Sequence, residues 1–296
     1  MNMATRWRAA GIITASVLMF GLGASSQTQE PPLVRFGVIT DLHYADIDPA
    51  GPRVYRDSVA KLEACVRTMN AERVAFLVEL GDFKDQDTPP VESRTLSYLR
   101  TIEAAMAGFK GPRYHVLGNH DVDSLSKAQF LGVVENTGVA PPATRYTFVS
   151  GGVRFVVLDA CHKADGSDYD RGNYDWTDSN IDAPQLAWLS STLAGSAEPV
   201  IVFVHQQLDG TGSYYVKNAP DVRRVLERSG KVLAVFQGHR HAGAFSEIDG
   251  IPYFTLAAAV EQPGAENGAY SIVEVGRGGG IRVIGRQRAT SRTTTR

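Results

Sequence analysis

The stretch Arg113-Tyr114-His115-Val116-Leu117-Gly118-Asn119-His120-Asp121 decides the fold, because an apolar, strand-like run ends directly in polar side chains. The same arrangement recurs after predicted strands at residues 34–40, 74–80, 200–204 and 232–236, which lead into Asp41, His43, Asp82, His205, His239 and His241. Ligands of an open α/β sheet bind in the crevice outside the carboxyl ends of its strands. We therefore expect these five segments to deliver their side chains to one edge of the sheet.

The rest of the pattern predicts an α/β fold with a mixed sheet. Further predicted elements are helices at 53–70, 91–109, 183–193 and 220–228, and strands at 145–149, 153–158, 244–248, 252–256, 269–275 and 281–284. Ser150-Gly151-Gly152 is typical of a hairpin turn, so parallel and antiparallel strands coexist. No repeat or linker divides the chain, which predicts a single domain over residues 31–286. The long non-periodic segment 161–182 is a candidate functional loop.

The N-terminus has the pattern of a secretory signal peptide over residues 1–26. Arg6 and Arg8 precede an apolar run at residues 9–22, which ends in small residues around Ala24 and Ser26. The run is shorter than the roughly 20 apolar residues of a membrane span. We therefore expect an exported protein, periplasmic or secreted, without a stable membrane anchor after cleavage. The alternative is an uncleaved N-terminal anchor.

Composition limits the partners. Thirty Lys and Arg against thirty-two Asp and Glu give a formal net charge of −2, so no overall field attracts a nucleic-acid polymer. Residues 287–296, rich in Arg, Ser and Thr, are expected to form a disordered tail. Cys65 falls in the apolar stripe of a predicted helix and Cys161 follows a strand, which favours two separate buried thiols. The oligomeric state is left open.

The polar residues at the strand ends have the chemistry of metal ligands. In Asp41-Leu42-His43 and in His239-Arg240-His241, alternate residues of extended chain point to the same side. A set of carboxylate, amide and imidazole donors without Cys suits Mn, Fe(II) or Zn. Glycine precedes Asp82, Asn119 and His239, where it permits unusual dihedrals and close approach of a substrate.

The ordered set D-x-H, G-D, G-N-H-D, a lone His and G-H-x-H resembles the calcineurin-like metallophosphoesterases over nearly the whole mature chain. This resemblance implies a four-layer α/β/β/α sandwich with mixed central sheets and two metal ions. It also implies a ligand set in which Asp82 bridges the two ions. Carried over by motif, one ion is held by Asp41, His43 and His241, and the other by Asn119, His205 and His239.

Such a pair of ions can share a hydroxide as nucleophile and clamp an in-line displacement at phosphorus. His120 is the candidate general acid, because imidazole can supply a proton near neutral pH, and Asp121 is expected to orient it. Electrostatic stabilisation of the phosphoryl oxygens is the alternative role for His120. Two histidines lie outside these motifs. His115 is expected to pack in the core, and His162 is expected to face solvent.

The expected substrate is a small phosphorylated molecule. Residues 41–46 and 53–58 look like the manganese-dependent ADP-ribose/CDP-alcohol diphosphatase subfamily, which favours nucleotide-type diphosphates or phosphodiesters. His43 and Asp121 depart from the Gln and Glu common in animal members of that subfamily. Tyr44, Tyr174 and Trp176 are candidates for stacking on a base or for packing against the domain. A broad phosphomonoesterase and a non-catalytic metal-binding protein on the same fold are the alternatives.

Overall fold

Residue 1 and residues 30–296 are described by a computed structural model of the protein. The predicted signal peptide therefore lies, apart from Met1, outside the described residues and stays a prediction. None of the helices found within this described part is long and apolar enough to cross a membrane.

The described chain forms five α-helices and twelve β-strands, with short 3-10 turns between some of them. In chain order they are β1 (Val34–Ile39), α1 (Ser58–Glu72), β2 (Leu77–Glu79), α2 (Glu92–Met106), β3 (Arg113–His115), α3 (Lys127–Leu131), β4 (Tyr146–Ser150), β5 (Val153–Val157), α4 (Ala183–Gly195), β6 (Val200–Phe203), α5 (Ala219–Ser229), β7 (Val232–Gln237), β8 (Ala242–Ile248), β9 (Ile251–Ala257), β10 (Ala269–Val275), β11 (Ile281–Gln287) and β12 (Arg292–Thr294).

The strands build two six-stranded sheets, ordered β12-β11-β10-β1-β2-β3 and β4-β5-β6-β7-β9-β8. In the first sheet, β1 is parallel to β2 and β2 to β3, whereas β1 is antiparallel to β10. In the second, β5, β6, β7 and β9 are parallel neighbours, and β4 and β8 are antiparallel edge strands. Both sheets are mixed, as predicted. The parallel strands of both sheets supply the site.

Four layers follow from where the apolar side chains are buried. Phenyl rings fill the space between the sheets, with Phe36 stacked on Phe76 at a centroid distance of 4.9 Å and packed against Phe155. A second cluster lies between α1, α2 and the first sheet, and a third between α4, α5 and the second sheet. Each fully buried aromatic or aliphatic side chain stabilises the fold by about 1.5–3 kcal/mol. The predicted α/β/β/α sandwich is confirmed.

Two predictions about elements are wrong. The α-helix predicted over 53–70 begins at Ser58, after a 3-10 turn at Tyr55–Asp57, because Arg53 is held in backbone bridges with Ala50 and Glu261. The tail is not disordered throughout, because β12 pairs with β11. The guanidinium of Arg292 also lies over the ring of Phe245, 3.9 Å from its centroid, where it gains cation–π attraction.

The two cysteines are free and fully buried, as expected. Cys65, on α1, packs in the cluster between this helix and the first sheet, and burial raises the pKa of its thiol well above the usual range. The Cys161 thiol donates to the carbonyl oxygen of Leu117 at 3.6 Å, and burial raises its pKa too. Both thiols are packing residues rather than nucleophiles.

Candidate metal centre

The carboxyl ends of five strands from both sheets meet at one edge of the sandwich. Asp41 and His43 follow β1, Asp82 follows β2, and Asn119 with His120 follows β3. From the second sheet, His205 follows β6, and His239 with His241 follows β7. The structure brings all seven predicted ligands together, as expected from the positions of the strand ends: six fall in two adjoining clusters, and Asn119 lines the same cleft as Asp82 and His239.

Asp41, His43 and His241 form one cluster, in which potential ligand atoms lie within 4.8 Å of one another. Asp41 Oδ1 is 3.7 Å from His43 Nε2 and 3.5 Å from His241 Nε2. The two Nε2 atoms are 3.2 Å apart. Three lone-pair donors therefore point at one position, which a cation satisfies better than a single shared proton does.

Asp82, His205 and His239 form the second cluster. Asp82 Oδ2 lies 3.2 Å from His205 Nε2 and 3.5 Å from His43 Nε2, so this carboxylate faces both clusters. Its other oxygen accepts the backbone N–H of His120 at 2.8 Å, which fixes its orientation. Asp82 therefore lies where its carboxylate would contact ions held by either cluster.

Orphaned polar atoms test whether the residues fit metal ions. Within the described residues, Asp41 Oδ1, Asn119 Oδ1 and His239 Nε2 are buried and have no hydrogen-bond partner. Leaving such atoms unpaired costs free energy, and a bound cation removes that cost. The donor set of oxygen and imidazole nitrogen without thiolate fits two borderline or hard divalent ions.

The electrostatics of the centre favour a cation as well. Burial would lower the pKa of the His205 imidazole, but Asp82 and Asp41 raise it to about 10. Burial would raise the pKa of Asp82, but His205, His120 and His43 bring it well below its usual value. The two carboxylates therefore create a negative potential here, and a metal ion bound in this place would take over the stabilising role of the proton on the imidazole.

The backbone is unusual at the same residues. Asp41, His43, Asp82 and His239 have φ between 46° and 67°, in the left-handed region that side chains other than glycine rarely adopt. Strain of this kind collects at functional sites, where surrounding contacts enforce it. At Gly118, a Cβ would overlap the backbone nitrogen of Asp82, so the two strand ends approach closely only because this residue is glycine.

His120 lies beside the centre, but Asp121 does not orient it. His120 Nδ1 is 3.5 Å from Asp85 Oδ1 and 3.6 Å from Asp123 Oδ2. Asp121 turns away, because its carboxylate accepts backbone N–H groups from Gly118 and from residues 82–84. The predicted role of Asp121 as the partner of His120 is therefore wrong. Asp121 holds two ligand-bearing loops together.

Carboxylates surround His120 closely enough to change its acidity. Burial alone would lower the pKa of the imidazole, but Asp85, Asp82 and Asp123 raise it well above its usual value. Asp123 is itself fully buried beside Lys84, with which it forms an ion pair. These carboxylates thus favour the protonated form of the imidazole, whose Nε2 lies on the side of the ring away from Asp85 and Asp123.

A cleft of about 160 Å³ opens over the centre. Its wall includes Trp176 and Tyr214, whose ring centroids are 5.4 Å apart and lie 6.0 and 5.6 Å from that of His239. Arg53 also lines the cleft, with Nη1 3.6 Å from Asp85 Oδ2. The cleft therefore combines an aromatic surface with a cation near the candidate metal positions.

Only some of the aromatic residues of this cleft wall were predicted from the sequence. Trp176 was a stacking candidate and lines the cleft, while Tyr44 packs against Tyr98. Tyr174 lies 5.9 Å from His120 between ring centroids. Tyr214 was missed, although an aromatic residue in the segment after β6 was a usable signal.

The two other histidines are both buried. His115 packs in the core as expected, with Glu79 and Glu103 beside its ring nitrogens. The expectation that His162 faces solvent is wrong, because it is 8% exposed and lies against Asp159.

Fold and site together define a binuclear phosphoesterase, and comparison with known proteins agrees. The model of the calcineurin-like phosphoesterase family matches residues 34–243, and the chain belongs to this family. It is a hydrolase that acts on phosphoric ester or diphosphate bonds and has a site for two divalent metal ions.

The chain is also similar to relatives that carry more specific names. Two plant proteins named manganese-dependent ADP-ribose/CDP-alcohol diphosphatase are each 27% identical to this chain. The match to the Oryza sativa protein covers 86% of this chain and 91% of the relative, and the match to the Arabidopsis thaliana protein covers 78% of this chain and 88% of the relative. A dimetal phosphatase structure from Danio rerio has a TM-score of 0.77 and 23% identity, covering 89% of this chain and 99% of its own. At that identity, the structural likeness shows the fold.

Proposed function

We propose that the protein hydrolyses nucleotide-type diphosphates or phosphodiesters. One ion would be held by Asp41, His43 and His241, the other by Asn119, His205 and His239, with Asp82 between them. The observation that carries the substrate class is the cleft wall, where Trp176 and Tyr214 present aromatic surface beside His239. A phosphomonoester with a small substituent would not contact this aromatic surface.

The charges along the cleft support a substrate with more than one phosphate or a bulky diester. Arg53, with 31% of its side chain exposed, lies on the cleft wall near Asp85. A guanidinium binds phosphate oxygens through two parallel hydrogen bonds. The aromatic pair and Arg53 would therefore hold the two ends of a substrate whose scissile phosphate sits over the metal positions. The diphosphatase names of the plant relatives support the same class.

The chain's own residues supply the remaining chemistry. Two divalent ions bound in this site would supply Lewis acidity and lower the pKa of a bound water. His120 then donates a proton from Nε2 to the leaving oxygen, while Asp85 and Asp123 hold the imidazole in place. Proton donation matters most when the leaving group is an alkoxide or a phosphate of low acidity.

A substrate panel tests the proposal. Purified protein with added Mn is assayed on ADP-ribose, a CDP-alcohol, bis-4-nitrophenyl phosphate, a cyclic nucleotide and 4-nitrophenyl phosphate. We expect turnover of a diphosphate or a diester, with a lower KM for substrates that carry a base. Turnover of 4-nitrophenyl phosphate alone would overturn the proposal in favour of a broad phosphomonoesterase.

We also propose that the protein is exported. The motivation is the basic and apolar pattern of residues 1–26, with small residues at its end. N-terminal sequencing of the protein from fractionated cells tests this: a mature chain that begins after Ala24 or Ser26 supports export. A full-length chain in the cytoplasmic fraction would contradict it.

A further inference from the structure

Glu261 lies behind the metal centre, on the segment that follows β9. Its Oε1 is 3.2 Å from Nδ1 of His241. Its Oε2 accepts a hydrogen bond from the Arg288 guanidinium at 3.3 Å, and its backbone carbonyl accepts another from the same side chain at 2.8 Å. The carboxylate therefore contacts the imidazole from the side away from the metal position.

The segment that carries Glu261 is fixed by a buried lysine. Lys61, on α1, is fully buried, and its Nζ donates to the backbone carbonyls of Val260, Glu261 and Gln262 at 3.0, 3.0 and 2.6 Å. The backbone N–H of Val260 donates to the carbonyl of Asp41 at 3.0 Å. One lysine thus holds three consecutive carbonyls, and the same segment is tied directly to a ligand-bearing loop.

A carboxylate in this position has a defined effect on the imidazole. When Nδ1–H donates to a carboxylate, the tautomer is fixed, Nε2 keeps its lone pair, and the ring becomes a stronger ligand. Nε2 of His241 is the atom that lies 3.5 Å from Asp41 Oδ1 and 3.2 Å from His43 Nε2. Glu261 therefore has the geometry to aim this nitrogen at the shared position.

We propose that Glu261 is a positioning residue for His241, and that it sets the affinity of the metal position formed by Asp41, His43 and His241. The inference rests on the ligand assignment of the proposed function. Among the described residues, the carboxylate of Glu261 bonds to His241 and Arg288, whereas at the opposite position Nδ1 of His205 faces the carbonyl of Leu80 at 2.8 Å. The effect of Glu261 is accordingly confined to one of the two ions.

The test is a manganese titration of the metal-free, full-length protein by calorimetry, repeated on Glu261→Ala, Glu261→Gln and Glu266→Gln. We expect two Mn ions in the wild type. Glu261→Ala should weaken one of them by about 10–100-fold and leave the other unchanged. Glu261→Gln should lose less, because an amide oxygen still accepts the Nδ1–H. Glu266→Gln, in the adjoining 3-10 turn, is the matched control and should bind as the wild type does.

Two further measurements separate positioning from general support of the fold. Electron paramagnetic resonance at two Mn per chain should show a coupled pair in the wild type and isolated ions in Glu261→Ala. Adding Glu261→Ala to His241→Ala should cause no further loss of affinity, because the residue acts through the imidazole. Should Glu261→Ala not fold, Glu261→Gln carries the comparison.

The outcomes are distinguishable. Unchanged Mn affinity in Glu261→Ala, with a lower unfolding temperature of the metal-free protein, overturns the inference and leaves the ligand assignment standing. Equal weakening of both ions also overturns it. A wild type that binds fewer than two Mn ions, or a His241→Ala variant that binds both normally, overturns the ligand assignment and the inference together.

Discussion

Replacing His120 with alanine removes the imidazole beside the candidate metal positions, which both Asp85 and Asp123 face. Nδ1 of the ring lies 3.5 and 3.6 Å from these carboxylates, which keep the pKa of His120 well above its usual value. The substitution therefore removes the group that we expect to donate a proton to the leaving oxygen. General acid catalysis typically contributes about 10²–10⁴-fold, which is about 3–5 kcal/mol of barrier.

The size of the loss should depend on the leaving group. We expect kcat of His120→Ala to fall by about 10²–10⁴-fold on diesters with alkoxide leaving groups, and much less on 4-nitrophenyl esters, whose leaving anion needs no proton. The assay measures kcat across aryl and alkyl phosphodiesters of increasing leaving-group pKa. His162→Ala, which removes a buried histidine that does not line the cleft, is the control and should keep the wild-type slope. An equal loss on every ester would refute proton donation and favour electrostatic stabilisation by His120.

Two other perturbations test the cleft and the core. Trp176→Ala should raise KM for a base-bearing diphosphate about tenfold, because stacking on a base is worth about 1–3 kcal/mol. KM for methyl 4-nitrophenyl phosphate, which has no base, should stay nearly unchanged. Equal increases in both KM values would argue against stacking. Burial would lower the pKa of His115, but Glu103 and Glu79 raise it to about 9 from 6.5, so its stabilising contribution is complete below pH 6.5 and is lost as pH rises through 9. Thermal melts should show stability falling by about 1–3 kcal/mol from pH 6.5 to 9, and His115→Gln should flatten this dependence; the same decline in the variant would contradict the assignment.

The position of the ligands was predictable from sequence because the strand ends decide it. Asp41, Asp82 and His205 each follow a short apolar run, and parallel strands bring such ends to one edge. The core-facing side of α1 was predictable as well, since the helical stripe with Leu62 and Met69 is buried against the first sheet, whereas the four layers were expected from the resemblance of the motifs. Features that depend on hydrophobic periodicity and strand direction can therefore be predicted without knowledge of long-range contacts.

The partners of the histidines were not predictable, because proximity in sequence misleads in a tight turn. Asp121 follows His120 directly, yet the 3-10 turn over Asn119–Val122 directs its carboxylate to the backbone of the neighbouring loop. The groups that do face the ring nitrogens, Asp85 for His120 and Glu261 for His241, come from other segments of the chain. Only the path of the loops brings these side chains to the site.

The errors at the tail and at His162 have a common cause. Polar composition around Arg292 and His162 indicated solvent exposure, but ion pairs and ring contacts hold both segments against the domain. Arg292 covers Phe245, and His162 lies between Asp159 and Asp168, with Lys127 bonded to both carboxylates. Composition predicts solvation of a segment, but it does not reveal which charges find partners.

Asp82 offers the most direct test of the binuclear centre, since its Oδ2 lies 3.2 Å from His205 Nε2 and 3.5 Å from His43 Nε2. The measurement is the Mn content, by elemental analysis, of wild type and Asp82→Ala that have been stripped of metal, reloaded with Mn and freed of excess ions, with phosphodiester hydrolysis assayed on the same samples. We predict two Mn ions and activity in the wild type, and in Asp82→Ala at most one tightly bound ion with activity reduced by about 10³-fold or more. A wild type without two ions, or an Asp82→Ala variant that keeps both ions and its activity, would contradict the account.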